Sequence, residues 1–98
     1  MDIEVIEENA EDLVNLLKAL ANDKRLLIMC ALLRGEKCVG ELEDIVDLSQ
    51  SALSQHLARL RRDRLVSTRR DAQTIYYSLQ DKKMHYVMKA LCAMTEEH

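Results

Sequence analysis

A chain of 98 residues makes one domain with a modest core, small enough that a second copy would help to bury its apolar surface. Nearly half of its residues are hydrophobic, Trp, Phe and Pro are absent and only Gly35 and Gly40 interrupt it, which favours helices and excludes low-complexity architecture. The net charge of −3 argues against a nucleic-acid partner only until its distribution is read, because between Gln50 and Arg70 six arginines face Asp63 alone, whereas between Met1 and Asp23 seven acids face Lys18. No run approaches the roughly 20 apolar residues of a membrane span, and the acidic start lacks the basic and apolar parts of a signal peptide, so a cytoplasmic protein with no membrane partner is expected. Cys30, Cys38 and Cys92 form neither an even-numbered disulfide framework nor a CxxC pair, and should be mostly reduced thiols.

Leu13, Leu16, Leu17 and Leu20 give the first segment a helical period, behind acids suited to the positive end of a helix dipole. Asn22 or Asp23 caps a second helix, whose LLIMCALL run is apolar on nearly every face and belongs at the centre of the core; Gly35 ends it. Val39, Leu42, Ile45 and Val46 mark a short third helix closed by the turn Asp47, Leu48, Ser49. Ser49 or Ser51 caps the fourth. After Asp63 the pattern switches to LVSTRR and TIYYSL, rich in β-branched and aromatic residues with DAQ between them, and predicts a β-hairpin. Met84, Val87, Met88, Leu91 and Met94 then stripe a closing helix, and with part of the first helix this stripe should form a homodimer interface.

The fourth helix is the most informative. Leu53, Leu57 and Leu60 recur at i, i+4 and i+7 on one side of the cylinder. Ser51, Gln55, Ala58 and Arg62 point the opposite way, flanked by Ser54 and Arg59, where a merely solvated helix would carry Glu and Lys. Short side chains let a helix lie close to a surface, Gln can make paired hydrogen bonds to an adenine edge, and Arg serves phosphate or guanine. A short helix, a turn, this amphipathic helix and a basic hairpin describe a winged helix-turn-helix: a single domain over residues 1–98, mainly α (α+β), in the order α-α-α-α-β-β-α.

The phrases LKALANDKRLLIM, VGEL, LSQSALSQHLARLRRDRLV and STRRDAQTIYYSL, roughly Leu16 to Leu79, resemble the ArsR/SmtB family of small dimeric bacterial repressors, and within it the branch of nodulation, hemolysin and biofilm regulators. The resemblance implies a homodimer that places two recognition helices in successive major grooves, with the wings on flanking DNA. Arg64 stands where the family's pattern has Gly closing the recognition helix. A metalloid site of the family requires Cys-x-Cys, and CVGEL supplies only Cys38. Its zinc site requires a carboxylate and a second His where Lys83 and Glu96 stand, so no metal and no cofactor is expected. The redox branch pairs an LxxC cysteine, matched by Cys30, with one near the end of the last helix. Here that place holds Glu96, and Cys92 lies one turn earlier, about 5.4 Å away, which argues against a disulfide. Cys30 is therefore either a core thiol or, with Cys92, a sensor of reactive sulfur or oxidant; a non-switching repressor stays open beside it.

The resulting expectation is a sequence-specific repressor on a pseudo-palindromic double-stranded operator. Gln50, Ser51, Ser54 and Gln55 approach base edges or nearby phosphates, Arg59, Arg62, Arg69 and Arg70 reach phosphate or the minor groove, and Gln73 assists. His56 either positions the helix or touches DNA, while His85 and His98 are solvated, and of Tyr76 and Tyr77 one packs and one faces out. With no metal triad, no nucleophile beside a base and no phosphate-cradling glycine loop, the chain does not read as an enzyme. An anti-repressor, or a winged-helix protein-interaction module, is the alternative.

Overall fold

The computed structural model describes residues 2–96 and contains five helices and three strands among them: α1 (Ile3–Leu20), α2 (Asp23–Leu33), β1 (Lys37–Cys38), α3 (Val39–Ile45), α4 (Gln50–Arg62), β2 (Val66–Asp71), β3 (Thr74–Leu79) and α5 (Lys82–Glu96). The expected order holds, with one addition. The two-residue strand β1 pairs antiparallel with β3, so that the hairpin becomes a three-stranded sheet in the order β1-β3-β2. Two residues carry too little periodicity to be read as a strand, and only the edge of β3 makes them one.

Local chemistry explains the boundaries. Asp2 caps α1 by accepting from the Glu4 amide at 2.9 Å. Of the two candidate caps for α2, Asn22 accepts from the amides of Lys24 and Arg25 at 3.0 and 3.1 Å. Arg25 then turns back and donates from Nε to the Ala19 carbonyl, so the end of α1 is satisfied by the start of α2. Ser49 caps α4 by accepting from the Ala52 amide at 3.2 Å, which leaves Ser51 on the outer face.

The far end of α4 has a special geometry. The Leu65 amide donates to the Leu60 carbonyl and the Arg64 amide to that of Arg61, while Arg64 sits at φ 63°. This is a Schellman closure with a bulky residue at the left-handed position that glycine normally fills. The buried Leu65 beyond it shows what holds the strained residue in place.

Leu53, Leu57 and Leu60 of α4 are at most 1% exposed and meet Ile28, Met29 and Leu32 of α2, Leu42, Val46, Leu65, Val66 and Leu79 in one core. From α5 come Met84 and Met88, both buried by their own chain. That corrects the expected methionine seam: α5 closes against α2 and β3, consuming two of its methionines, while Met94 stays open. The hairpin is also tighter than the expected DAQ turn. Asp71 pairs with Thr74 as the last rung of the ladder, leaving the two-residue loop Ala72-Gln73 with Ala72 at φ 57°. His85 is exposed, and His98 lies outside the described residues.

Replacing Arg64 with Gly should relieve the left-handed strain and stabilise the fold by about 0.5–1 kcal/mol after the extra entropy of glycine in the unfolded chain is subtracted. Thermal denaturation checks this, and an unchanged or lower midpoint in R64G contradicts it.

Candidate nucleic-acid interface

With three leucines locked in the core, the rest of α4 is oriented. Gln50, Ser51, Ser54, Gln55, Ala58, Arg61 and Arg62 are exposed, and His56 is half-buried at the margin of the leucine stripe. The first turn carries no acid, although acids are favoured beside the positive end of a helix dipole. The face is therefore uncharged at its amino end, small in profile, and basic at its carboxyl end. It can approach a duplex closely and offers amide and hydroxyl donors and acceptors where a base edge would lie.

The arginines differ in what already holds them. Arg59 donates from Nε to Asp63 at 2.7 Å, and Arg62 lies 3.5 Å from the same carboxylate. The Arg59 hydrogen bond, with the Arg62 charge beside it, keeps the Asp63 carboxyl below the usual range, so it stays anionic at neutral pH. Arg61 and Arg64 make no ion pair among the described residues, yet sequence reasoning left Arg61 out of the site. On the wing, Arg70 donates from Nε to the Ala72 carbonyl at 3.0 Å, folding over the hairpin loop where Gln73 is exposed. Arg69 is held more firmly. Its guanidinium lies 4.5 Å from the centre of the Tyr76 ring and donates from Nε to both Glu36 carboxylate oxygens, at 3.1 and 2.9 Å. The hydrogen bond from Arg69 pulls the Glu36 carboxyl below its ordinary value. Glu36 did not stand out in the sequence, since a contact over 33 residues has no local signal. Of the two tyrosines expected to divide between inside and outside, both are half-buried, Tyr77 against the core and Tyr76 under Arg69.

The thiols occupy a separate place. Cys30 Sγ and Cys92 Sγ are 3.2 Å apart, each half-buried, where α2 packs along α5. This corrects the argument that a one-turn displacement separates them: the register of the two helices brings Cys92, not position 96, level with Cys30. Burial, then the hydrogen bond with Cys92, pushes the Cys30 thiol up to about 11, against a smaller opposing pull from Arg34. A groove of about 430 Å³ lined by Leu27, Cys30, Ala31, Arg34, Lys37 and Ile45 opens beside it. Cys38 is the residue before α3, where its amide donates to Glu41 at 3.1 Å. Among the described residues no three His, Cys, Asp or Glu side chains cluster closely enough to hold a metal ion.

The comparisons with known proteins agree with this geometry. Residues 22–68, from the α2 cap into the wing, match the model for "Bacterial regulatory protein, arsR family". The transcriptional activator HlyU of Vibrio cholerae is 50% identical over 93% of this chain and 84% of its own length, and the structure of reduced HlyU superposes with a TM-score of 0.86 at 49% identity, covering 93% of this chain and 96% of that one. The transcriptional repressor BigR from Xylella fastidiosa also superposes at 0.86, with 39% identity and 96% of both chains covered. The homodimeric winged helix-turn-helix DNA-binding domain of a Mycobacterium bovis protein gives 0.84 at 25% identity, covering 94% and 85%. An outward serine- and glutamine-faced helix, the wing beside it and these likenesses lead to one assignment: the chain belongs to the arsR family of bacterial regulatory proteins and is a DNA-binding transcriptional regulator with a winged helix-turn-helix fold.

Proposed function

We propose that this regulator acts as a repressor that binds a pseudo-palindromic operator as a homodimer, presenting one α4 to each of two adjacent major grooves. The observation that carries the reading is the exposed face of α4: Gln50, Ser51, Ser54 and Gln55 with no acid among them, on a helix whose other face is wholly buried. These four side chains approach base edges or the phosphates beside them. Arg59, Arg62 and Arg70 supply positive potential toward the backbone, Gln73 lies at the wing tip, and His56 borders the contact.

The case for two copies rests on α1 and the end of α5. Leu13, Val14 and Leu17 are 46%, 46% and 61% exposed, and Met94 is 66% exposed, an apolar surface that the chain itself leaves open. We assign this surface to the partner subunit, and the homodimeric M. bovis relative supports that assignment.

A second reading concerns switching, and the 3.2 Å between Cys30 Sγ and Cys92 Sγ favours it. An organic disulfide or a peroxide would take two electrons from the pair, the two thiols losing their protons as an S–S bond forms and the oxidant being reduced to two thiols or to water. The bond would tie α2 to α5, the helices that support α4 and the proposed dimer surface.

Four outcomes test these readings. Gln55→Ala should cost about 1–3 kcal/mol at one operator position and relax the base preference there, so an unchanged preference in a binding-site selection rejects the assignment. Leu17→Glu should yield monomers in analytical ultracentrifugation and weaken operator binding at least tenfold; a dimer that persists places the interface elsewhere. Oxidised protein should lose two hydrogens by intact mass, unless Cys30 or Cys92 is replaced by Ser, and should bind the operator at least tenfold more weakly. Because the Cys30 thiol titrates near 11, its thiolate fraction grows with pH, and oxidation should accelerate between pH 7 and 9. Equal operator binding by the two forms would establish a regulator that does not switch through these thiols.

A further inference from the structure

Arg69 leaves β2, lies across the ring of Tyr76 on β3 and ends on Glu36, in the loop that leads from α2 into β1. The register makes this path short, since Arg69 stands opposite Tyr76 and Tyr76 in turn opposite Cys38, two residues beyond Glu36. The ion pair is closed by Nη2 on Oε1 at 2.5 Å, giving a forked guanidinium–carboxylate contact that spans the whole sheet. Its side chains remain 54% and 38% exposed, so the contact sits at the surface, open to competition from another anion. A phosphate presents a guanidinium with the same paired oxygens as a carboxylate.

We propose that Glu36 is a positioning residue for DNA affinity: it occupies the Arg69 guanidinium as an internal substitute for a backbone phosphate, with Tyr76 holding the arginine flat on the sheet. The proposal rests on the reading of α4 and the wing as the DNA interface. It changes the role of Arg69 from a phosphate contact to a withheld one. Arg70, the next residue, has no carboxylate partner among the described residues and remains a cation that the wing offers outward. Phosphate contacts raise affinity for every duplex without reading its sequence, so withholding one from each subunit lowers binding to operator and random DNA by the same factor. It also leaves the base contacts of α4 unchanged.

The test is a double-mutant cycle with Glu36→Gln, Arg69→Ala and both together, measured on operator and random duplexes across a salt series, with Arg70→Ala as the wing control. E36Q should tighten both duplexes about three- to tenfold at low salt and steepen the logarithmic salt dependence by about 0.9 per subunit. R69A alone should stay within about twofold of the parent, and the double variant should match R69A. A fold-stability role for the bridge would not steepen the salt dependence. A tenfold loss in R69A alone would show that Arg69 already holds phosphate, and a gain from E36Q that survives in the double variant would show simple loss of a repelling charge. Either result overturns the proposal while the DNA interface stands. If the parent binds no duplex, the interface reading falls and the proposal with it. Binding that persists in the parent but is unmoved by R70A as well as by the cycle removes the wing from the interface and leaves α4 in place.

Discussion

Everything outward in this molecule is set by something inward, the burial of Leu53, Leu57 and Leu60. A helix of 13 residues with one side locked against α2, α3 and the root of the wing has no rotational freedom left, so the opposite side is presented in one orientation. Full burial of a leucine side chain contributes roughly 1.5–3 kcal/mol, which makes three of them a large share of the stability of a small domain. The same leucines therefore hold the core together and aim Ser51, Ser54 and Gln55. Caps at both ends keep the helix from sliding along that seat, with the Ser49 hydroxyl at one end and the Schellman closure around Arg64 at the other.

The electrostatics are more selective than the sequence count of arginines suggests. Six basic residues cluster between Gln50 and Arg70, yet Asp63 draws on Arg59 and Arg62, Glu36 holds Arg69, and Arg70 leans on a carbonyl. Exposed ion pairs of this kind contribute little to stability, commonly under about 1 kcal/mol. Their effect is on where the cations point. A guanidinium already bound to a carboxylate differs from a free one in what a passing phosphate must displace.

What could be read from the sequence was whatever repeats at short range. The leucine period, the Asn22 and Ser49 caps, Gly35 at the close of α2 and the change from helical to β-branched residues after Asp63 all act over a few residues, and each appears in the structure. Features that depend on distant partners were harder to read. The strand β1 exists only as the neighbour of β3 and Arg69 meets Glu36 across 33 residues, neither with a local signal, while Cys30 and Cys92, 62 residues apart, were legible only as one of two alternatives. In the last case a position inferred by resemblance was misleading by one helical turn, because the packing register of α2 on α5 differs from the spacing argument. The methionine stripe was legible as apolar, but whether an apolar side chain faces its own core or another subunit is not written in its period: Met88 is fully buried and Met94 open on the same helix.

The amino-terminal arm has a consequence of its own. Of the 18 residues in α1 only Ala19 and Leu20 are buried, so its first three turns are supported by the Asp2 cap and backbone hydrogen bonds but almost no packing. Segments that short are marginal as free helices in water, where nucleation is costly and little is returned per turn. The order of this arm is thus supplied by whatever covers its leucines. In the proposed dimer the coiling of this arm and the arrival of its cover are one cooperative event, so that its melting would depend on protein concentration.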